Sequence, residues 1–136
     1  MEVMVQVVKL KTTEDNTNVN LIHIQDGVTV HCTYEQAATT IGNYVSIGHN
    51  AIIHGCTLKD RVLVGMGAII MDDAVIESNS IIAAGAIVSK NTIIASGSVY
   101  GGVPAKKLKE IDKKLVEGEI ERIAKSYSLY ANWYKE

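Results

Sequence analysis

Phenylalanine is absent from this chain, proline occurs once and cysteine twice, and aromatic residues make up only 5% of the whole. Without large rings, the 47% of hydrophobic residues must build their core from Ile, Val and Ala, side chains that suit stacked strands better than packed helices. Cys32 and Cys56 are too few for a disulfide framework, so both thiols are expected reduced, as in a cytosolic protein. A strong excess of charge of either sign is also missing: a formal net charge of −2 gives no drive toward nucleic acid or an anionic membrane. The longest apolar runs, Val62–Val64, Ala68–Met71 and Ile81–Ala84, fall far short of the roughly 20 residues that span a bilayer. Residues 1–20 lack the apolar stretch of a signal peptide, which places the protein in the cytoplasm. A length of 136 residues is expected to make a single domain, 1–136.

What is present is a repeat. Every sixth residue from position 58 reads Leu58, Val64, Ile70, Ile76, Ile82, Val88, Ile94 and Tyr100. Two residues earlier the column is Cys56, Val62, Ala68, Ala74, Ser80, Ala86, Thr92 and Ser98, all small or β-branched. A third column, Gly67, Asp73, Asn79, Gly85, Asn91 and Gly97, holds residues that tolerate the left-handed backbone of a tight corner. Each hexad is then one short strand and one corner. Three hexads close a triangular coil, and successive coils stack about 4.8 Å apart through parallel hydrogen bonding. Upstream, Ile41, Ile47 and Ile53 continue the pattern in another phase, and a spacing of five between Ile47 and Ile52 puts an irregular corner beside His49 and His54.

The fold expected is therefore all-β: a parallel β-helix of hexapeptide repeats, clearest from Ile41 to Gly102 and assigned over 23–103, with an atypical strand and loop at 1–22. Val3, Val5, Val7 and Leu10 alternate as a strand, and Thr12–Asn20 is turn material. After Gly101-Gly102-Val103-Pro104 the period ends. Lys106–Glu117 and Glu119–Lys135 are rich in helix formers, with Leu108, Ile111, Leu115, Ile120 and Ile123 at helical spacing, so 104–136 is expected to be an amphipathic helical segment packed on the β-helix.

Three of the four histidines, His31, His49 and His54, lie within 24 residues at the start of the repeat. A lone histidine beside an apolar run is usually structural; three together point to a metal, because neutral imidazole is a common ligand of zinc. His49 and His54 each sit two residues after an inward aliphatic, Ile47 and Ile52, and so occupy neighbouring corners of one coil. Neighbouring corners are about 16 Å apart, whereas two ligands of one ion must approach within about 3–3.5 Å. One chain cannot bring both to the same ion, so either His49 or His54 must come from a neighbouring subunit of a cyclic oligomer. His31 and His54 can stack if the Cys32–Thr40 segment, which lacks the repeat, bulges out.

The strings IQDGVTVH, IGNYVSIGHNAIIHGCTL and VLVGMGAII followed by GGVPAKKL closely resemble the γ-class carbonic anhydrase family, over about residues 24–110. The resemblance implies a left-handed β-helix homotrimer with one metal at each subunit interface. Matched residue by residue, VTVH supplies His31 and IIHG supplies His54 from one chain, while IGH supplies His49 from the next. Gln25 of IQDG matches the glutamine that contacts the metal-bound water or bicarbonate, its alternative role being that of a corner glutamine in a hydrogen-bonded turn. Glu35 is the candidate for the family's acidic proton-transfer residue, offset in position, and Tyr130 of SYSLYANW resembles a helix tyrosine that reaches the site, or else simply packs that helix. The implied reaction is reversible hydration of carbon dioxide by a metal-bound hydroxide, with Zn2+ as the default ion and Fe2+ or Co2+ as substitutes. The departure lies at the N-terminus: the family's Arg-x-Asp pair has no counterpart, since no arginine precedes Arg61, and this stretch reads as truncated or replaced.

Two other readings remain open from the residues. A hexapeptide-repeat acyltransferase would use one histidine as general base and hold coenzyme A along the β-helix, with no metal. A non-catalytic scaffold would need neither.

Overall fold

The computed structural model describes residues 22–112, 114 and 122, together with the backbone of 8–10. Its strands wind in coils of three: β1 (Val8–Leu10), β2 (Ile22–Ile24) and β3 (Thr29–His31); β4 (Thr39–Ile41), β5 (Val45–Ile47) and β6 (Ile52–His54); β7 (Thr57–Leu58), β8 (Val62–Val64) and β9 (Ile69–Ile70); β10 (Val75–Ile76), β11 (Ser80–Ile82) and β12 (Ile87–Val88); then β13 (Ile93–Ile94) and β14 (Ser98–Gly101). Every third strand pairs in parallel with the one below it. This gives three sheets, ordered β1-β4-β7-β10-β13, β2-β5-β8-β11-β14 and β3-β6-β9-β12. The architecture is the parallel β-helix that the hexad pattern predicts.

The inward columns pack the interior. Leu58, Val64, Ile70, Ile76, Ile82, Val88 and Ile94 are buried, as are Cys56, Val62, Ala68, Ala74, Ser80, Ala86 and Ser98 at the neighbouring small positions. The corner column also forms as expected: Gly67, Asp73, Asn79, Gly85, Asn91 and Gly97 all have φ between 61° and 71°.

The short hexad differs from the expected one. Ile53 is 0% exposed and is the inward side chain of β6, whereas Ile52 lies half-buried on the outer face. The five-residue step therefore falls between Ile53 and Leu58, not between Ile47 and Ile52. Elsewhere two residues separate the inward aliphatic from the left-handed corner residue, as Gly48 and His49 separate Ile47 from Asn50 (φ 59°); here His54 alone separates Ile53 from Gly55 (φ 61°). His54 thus directly follows an inward aliphatic, and both histidines immediately precede a left-handed corner.

The C-terminal reading is also corrected. Lys106–Glu110 is not helical but a strand, β15, antiparallel to β14 with a bulge between Val99 and Tyr100. Of the described residues beyond Asp112, Lys114 and Arg122 are helical, while β15 covers the end of the second sheet. Its lysines and glutamate are exposed, a charged rim that discourages further edge pairing. The rest of the expected helical segment, Tyr130 included, lies outside the described residues, as do Val3, Val5, Val7 and Thr12–Asn20. No helix among the described residues is long and apolar enough to cross a membrane.

Candidate functional site

The extra residues of the Cys32–Thr40 segment form a tight projection. Thr33 and Ala37 bridge in antiparallel fashion, closing a turn over Tyr34–Gln36. Because that turn takes up the excess length, β3 and β6 stay in register and His31 pairs directly with His54 on the coil above. Their rings stack with centroids 5.0 Å apart and planes inclined by 25°, and His31 Nδ1 lies 3.2 Å from His54 Nε2. Backbone bonds fix the pair: Gly55 N–H donates to the His31 carbonyl at 3.0 Å and to Thr39 Oγ1 at 2.9 Å, while Thr39 Oγ1 donates to the same carbonyl at 2.5 Å.

On its other edge, His54 meets Asp72. Nδ1 of His54 lies 2.5 Å from Asp72 Oδ1, and Thr33 Oγ1 donates to Asp72 Oδ2. Burial of Asp72 works against its charge, but the hydrogen bonds from Thr33 and His54, together with the nearby Lys90 ammonium, outweigh it and hold the carboxyl below its ordinary range. Room for this carboxylate comes from Gly55, where a Cβ would stand 2.4 Å from Asp72 Oδ1 and 2.9 Å from Ala37 Cβ. Asp72 and Thr33 were not singled out from the sequence. The period alone does not give it: β6 and β9 stack 17 residues apart, Ile53 on Ile70, so Met71 lies one coil on from His54, and Asp72 is the additional residue of a corner that is one residue shorter at His54–Gly55.

His49 is placed elsewhere. It follows β5 at the corner between the second and third sheets and lines a groove of about 410 Å³ with His23, Gln25, Ser46, Leu63 and Met66. His54 lines a different groove, of about 290 Å³, with Thr33, Ile52, Met71, Asp72 and Lys90. Strand β6 runs between the two corners, so one chain brings together His31 and His54 and keeps His49 apart. Among the described residues no group of three or more His, Cys, Asp or Glu side chains is gathered to hold a metal ion. Gln25 sits with His49, its Oε1 accepting the His49 N–H at 3.1 Å while its own N–H donates to the Ile47 carbonyl at 3.0 Å. Glu35 is exposed in the turn over Thr33–Ala37, with φ 57°.

Cys56 is near the histidines in sequence but not a reactive group. Its side chain is 1% exposed, and burial pushes the thiol up to about 12. Thiol reagents at pH 8 are expected to leave Cys56 unlabelled in the folded chain and to label it promptly in guanidinium chloride. Rapid native labelling at this position, read by peptide mass mapping, would show that the column containing Cys56 opens.

Known proteins share this arrangement of coils. The bacterial transferase hexapeptide family (six repeats) matches residues 55–90. The Methanocaldococcus jannaschii protein named "Probable carbonic anhydrase" is 52% identical over 111 residues, covering 82% of this chain and 67% of that protein. "Gamma carbonic anhydrase 1, mitochondrial" of Arabidopsis thaliana is 43% identical over 115 residues, 81% of this chain, but the match spans only 40% of the plant protein. Among solved structures, a hexapeptide transferase family protein from Anaplasma phagocytophilum superposes with a TM-score of 0.78 at 36% identity, covering 85% of this chain and 66% of that one. With a hexapeptide β-helix fold and this identity to carbonic anhydrases over four fifths of its length, the chain belongs to the γ carbonic anhydrase family.

Proposed function

We propose that this chain is a metal-binding, carbonic anhydrase-like protein that hydrates carbon dioxide reversibly in the cytoplasm, its ion held by His31 and His54 of one copy and His49 of the next. The observation that carries this reading is the 3.2 Å separation of His31 Nδ1 and His54 Nε2 on adjacent coils. Two nitrogens of one tetrahedral site, each about 2.1 Å from the ion, lie about 3.4 Å apart, so the pair already has the spacing of two ligands. Zn2+ is the default ion, with Fe2+ or Co2+ as substitutes.

The surfaces beside the two half-sites support a cyclic assembly. The outward side chains of the second sheet continue from Ser46 as Leu63, Ile81 and Val99, and those of the third run Ile52, Ile69 and Ile87, all seven save buried Ser46 half-buried. Two different apolar faces, one carrying His49 and the other His54, suit a head-to-tail interface, and a triangular prism closes such an interface as a homotrimer. A bound divalent ion would supply Lewis acidity, bringing the pKa of a water toward 7. Gln25, anchored at its oxygen by His49 N–H, has an amide N–H2 as its donor end and is assigned the orientation of carbon dioxide or bicarbonate. Glu35, exposed on its turn, is assigned proton transfer to buffer, and Tyr130 is assigned an approach to the site.

A second reading rests on the His54–Asp72 contact, since a histidine oriented by a carboxylate is also the general base of an acyltransferase that uses coenzyme A. Metal analysis of the purified full chain, equilibrated with zinc and then desalted, is expected to give about one zinc per chain, with carbon dioxide hydration in a stopped-flow proton assay. A metal-free chain that releases coenzyme A from acetyl-coenzyme A would put the acyltransferase in its place; inactivity in both assays would leave a scaffold.

A further inference from the structure

Asp72 has no part in the ligand set or in the apolar columns, yet its carboxylate is buried and both of its oxygens are engaged, one by Thr33 Oγ1 and one by His54 Nδ1. An ionised carboxylate can only accept, so the proton on this edge of His54 belongs to Nδ1. Neutral His54 then presents Nε2 as a lone pair, and the 3.2 Å contact with His31 is a bond only if His31 Nδ1 carries the proton that points at it. The donors therefore run in one direction, from His31 to His54 to Asp72.

We propose that Asp72, itself braced by Thr33, is the positioning residue that fixes the tautomer and ring orientation of His54 before any ion arrives, so that the two histidines play unequal parts in binding. This rests on the reading of His31 and His54 as ligands. His54 is pre-set, with its proton already on the side away from the ion. His31 is not: for Nδ1 to become a ligand, its proton must leave Nδ1, and the neutral ring takes one up at Nε2 instead. Metal uptake thus moves a proton on His31 and none on His54. Thr33 gives the projecting turn its place in this scheme, because the Thr33–Ala37 bridge holds the hydroxyl that steers the carboxylate. Carboxylates placed behind a metal-binding histidine typically account for ten- to a hundredfold in affinity.

The test uses the full chain labelled with 15N histidine, with long-range 1H–15N spectra read at pH 7.5 before and after addition of Zn2+ alone, and zinc affinity measured by competition with a chromogenic chelator. Metal-free wild type is expected to show the Nδ1–H form at both histidines; after zinc, His54 stays Nδ1–H and His31 becomes Nε2–H. Asp72→Leu, which cannot accept, is expected to shift His54 toward Nε2–H in the metal-free chain and to weaken zinc roughly ten- to a hundredfold. Thr33→Val, which leaves the carboxylate in place without its brace, should move both readouts in the same direction by less, and it decides the matter if Asp72→Leu does not fold. His54 in the Nε2–H form in wild type, or both variants matching wild type in tautomer and affinity, overturns the proposal. Should wild type bind no zinc while His54 is still Nδ1–H and dependent on Asp72, it is the metal reading that fails, and Asp72 remains the residue that sets His54.

Discussion

Equal amounts of His49→Ala and His54→Ala chains, each empty of zinc by itself, are expected to regain metal when mixed under conditions that allow subunits to exchange. In a homo-oligomer of His49→Ala chains every interface lacks the ligand from one side; in His54→Ala every interface lacks one from the other. Removal of one imidazole of three should weaken zinc roughly a hundredfold or more, enough to empty the site at micromolar metal. A mixed trimer also contains interfaces at which a chain that kept His49 faces a chain that kept His31 and His54. With random exchange about one interface in four has this composition, so zinc should return to about a quarter of the wild-type level. The result depends on the separation of the two grooves, one lined by His49 and one by His54, since a site built within one chain could not be restored by any mixture. Zinc that stays absent while native mass spectrometry shows mixed oligomers would remove the intersubunit site.

The same histidines show how far the residues alone lead. Stacking of His31 on His54 was legible because the only segment between them without a hexad pattern had to be looped out, and it is, as the Thr33–Ala37 turn. The position of the short hexad was not legible. Ile52 and Ile53 are adjacent and identical, so periodicity alone cannot say which faces inward; the left-handed corner at Gly55 decides it, and Ile53 is the buried one. Asp72 was hidden for a similar reason. It reads as half of an Asp-Asp pair at a corner, where Asp73 supplies the turn, and only the stacking of coils sets Asp72 over His54.

Lys106–Glu110 failed for a different reason. Its residues favour a helix by propensity, but β14 ends the second sheet with an open row of hydrogen-bonding groups, and pairing with that edge outweighs a preference of a few tenths of a kcal/mol per residue.

Two glycines in one corner provide the sharpest stability test of how the coils stack. Gly65 is needed for space: a Cβ there would lie 2.5 Å from Ala84 N and 2.8 Å from Ala83 C, both backbone atoms of the next coil. Those atoms cannot swing aside as a side chain could, because Gly65 N–H bonds the Ile82 carbonyl at 2.8 Å and holds the coils together at that point. Gly67 is needed for conformation: a Cβ would meet nothing within 4 Å, but φ is +68°. Gly65→Ala is therefore expected to cost about 3 kcal/mol or more, the upper end for overpacking a rigid interior. In a chain of this size that lowers the melting temperature by roughly 10 °C. Gly67→Ala should cost about 1–2 kcal/mol, the penalty for an L-residue in the left-handed region. Gly67→Asn should cost less than that, because Asn79 and Asn91 already hold the equivalent corners at φ 63° and 61°. The order of urea midpoints expected is wild type, then Gly67→Asn, Gly67→Ala and, lowest, Gly65→Ala. A Gly65→Ala chain as stable as wild type would mean that neighbouring coils can part at this corner, and with that freedom the fixed 3.2 Å between His31 and His54 would lose its structural basis.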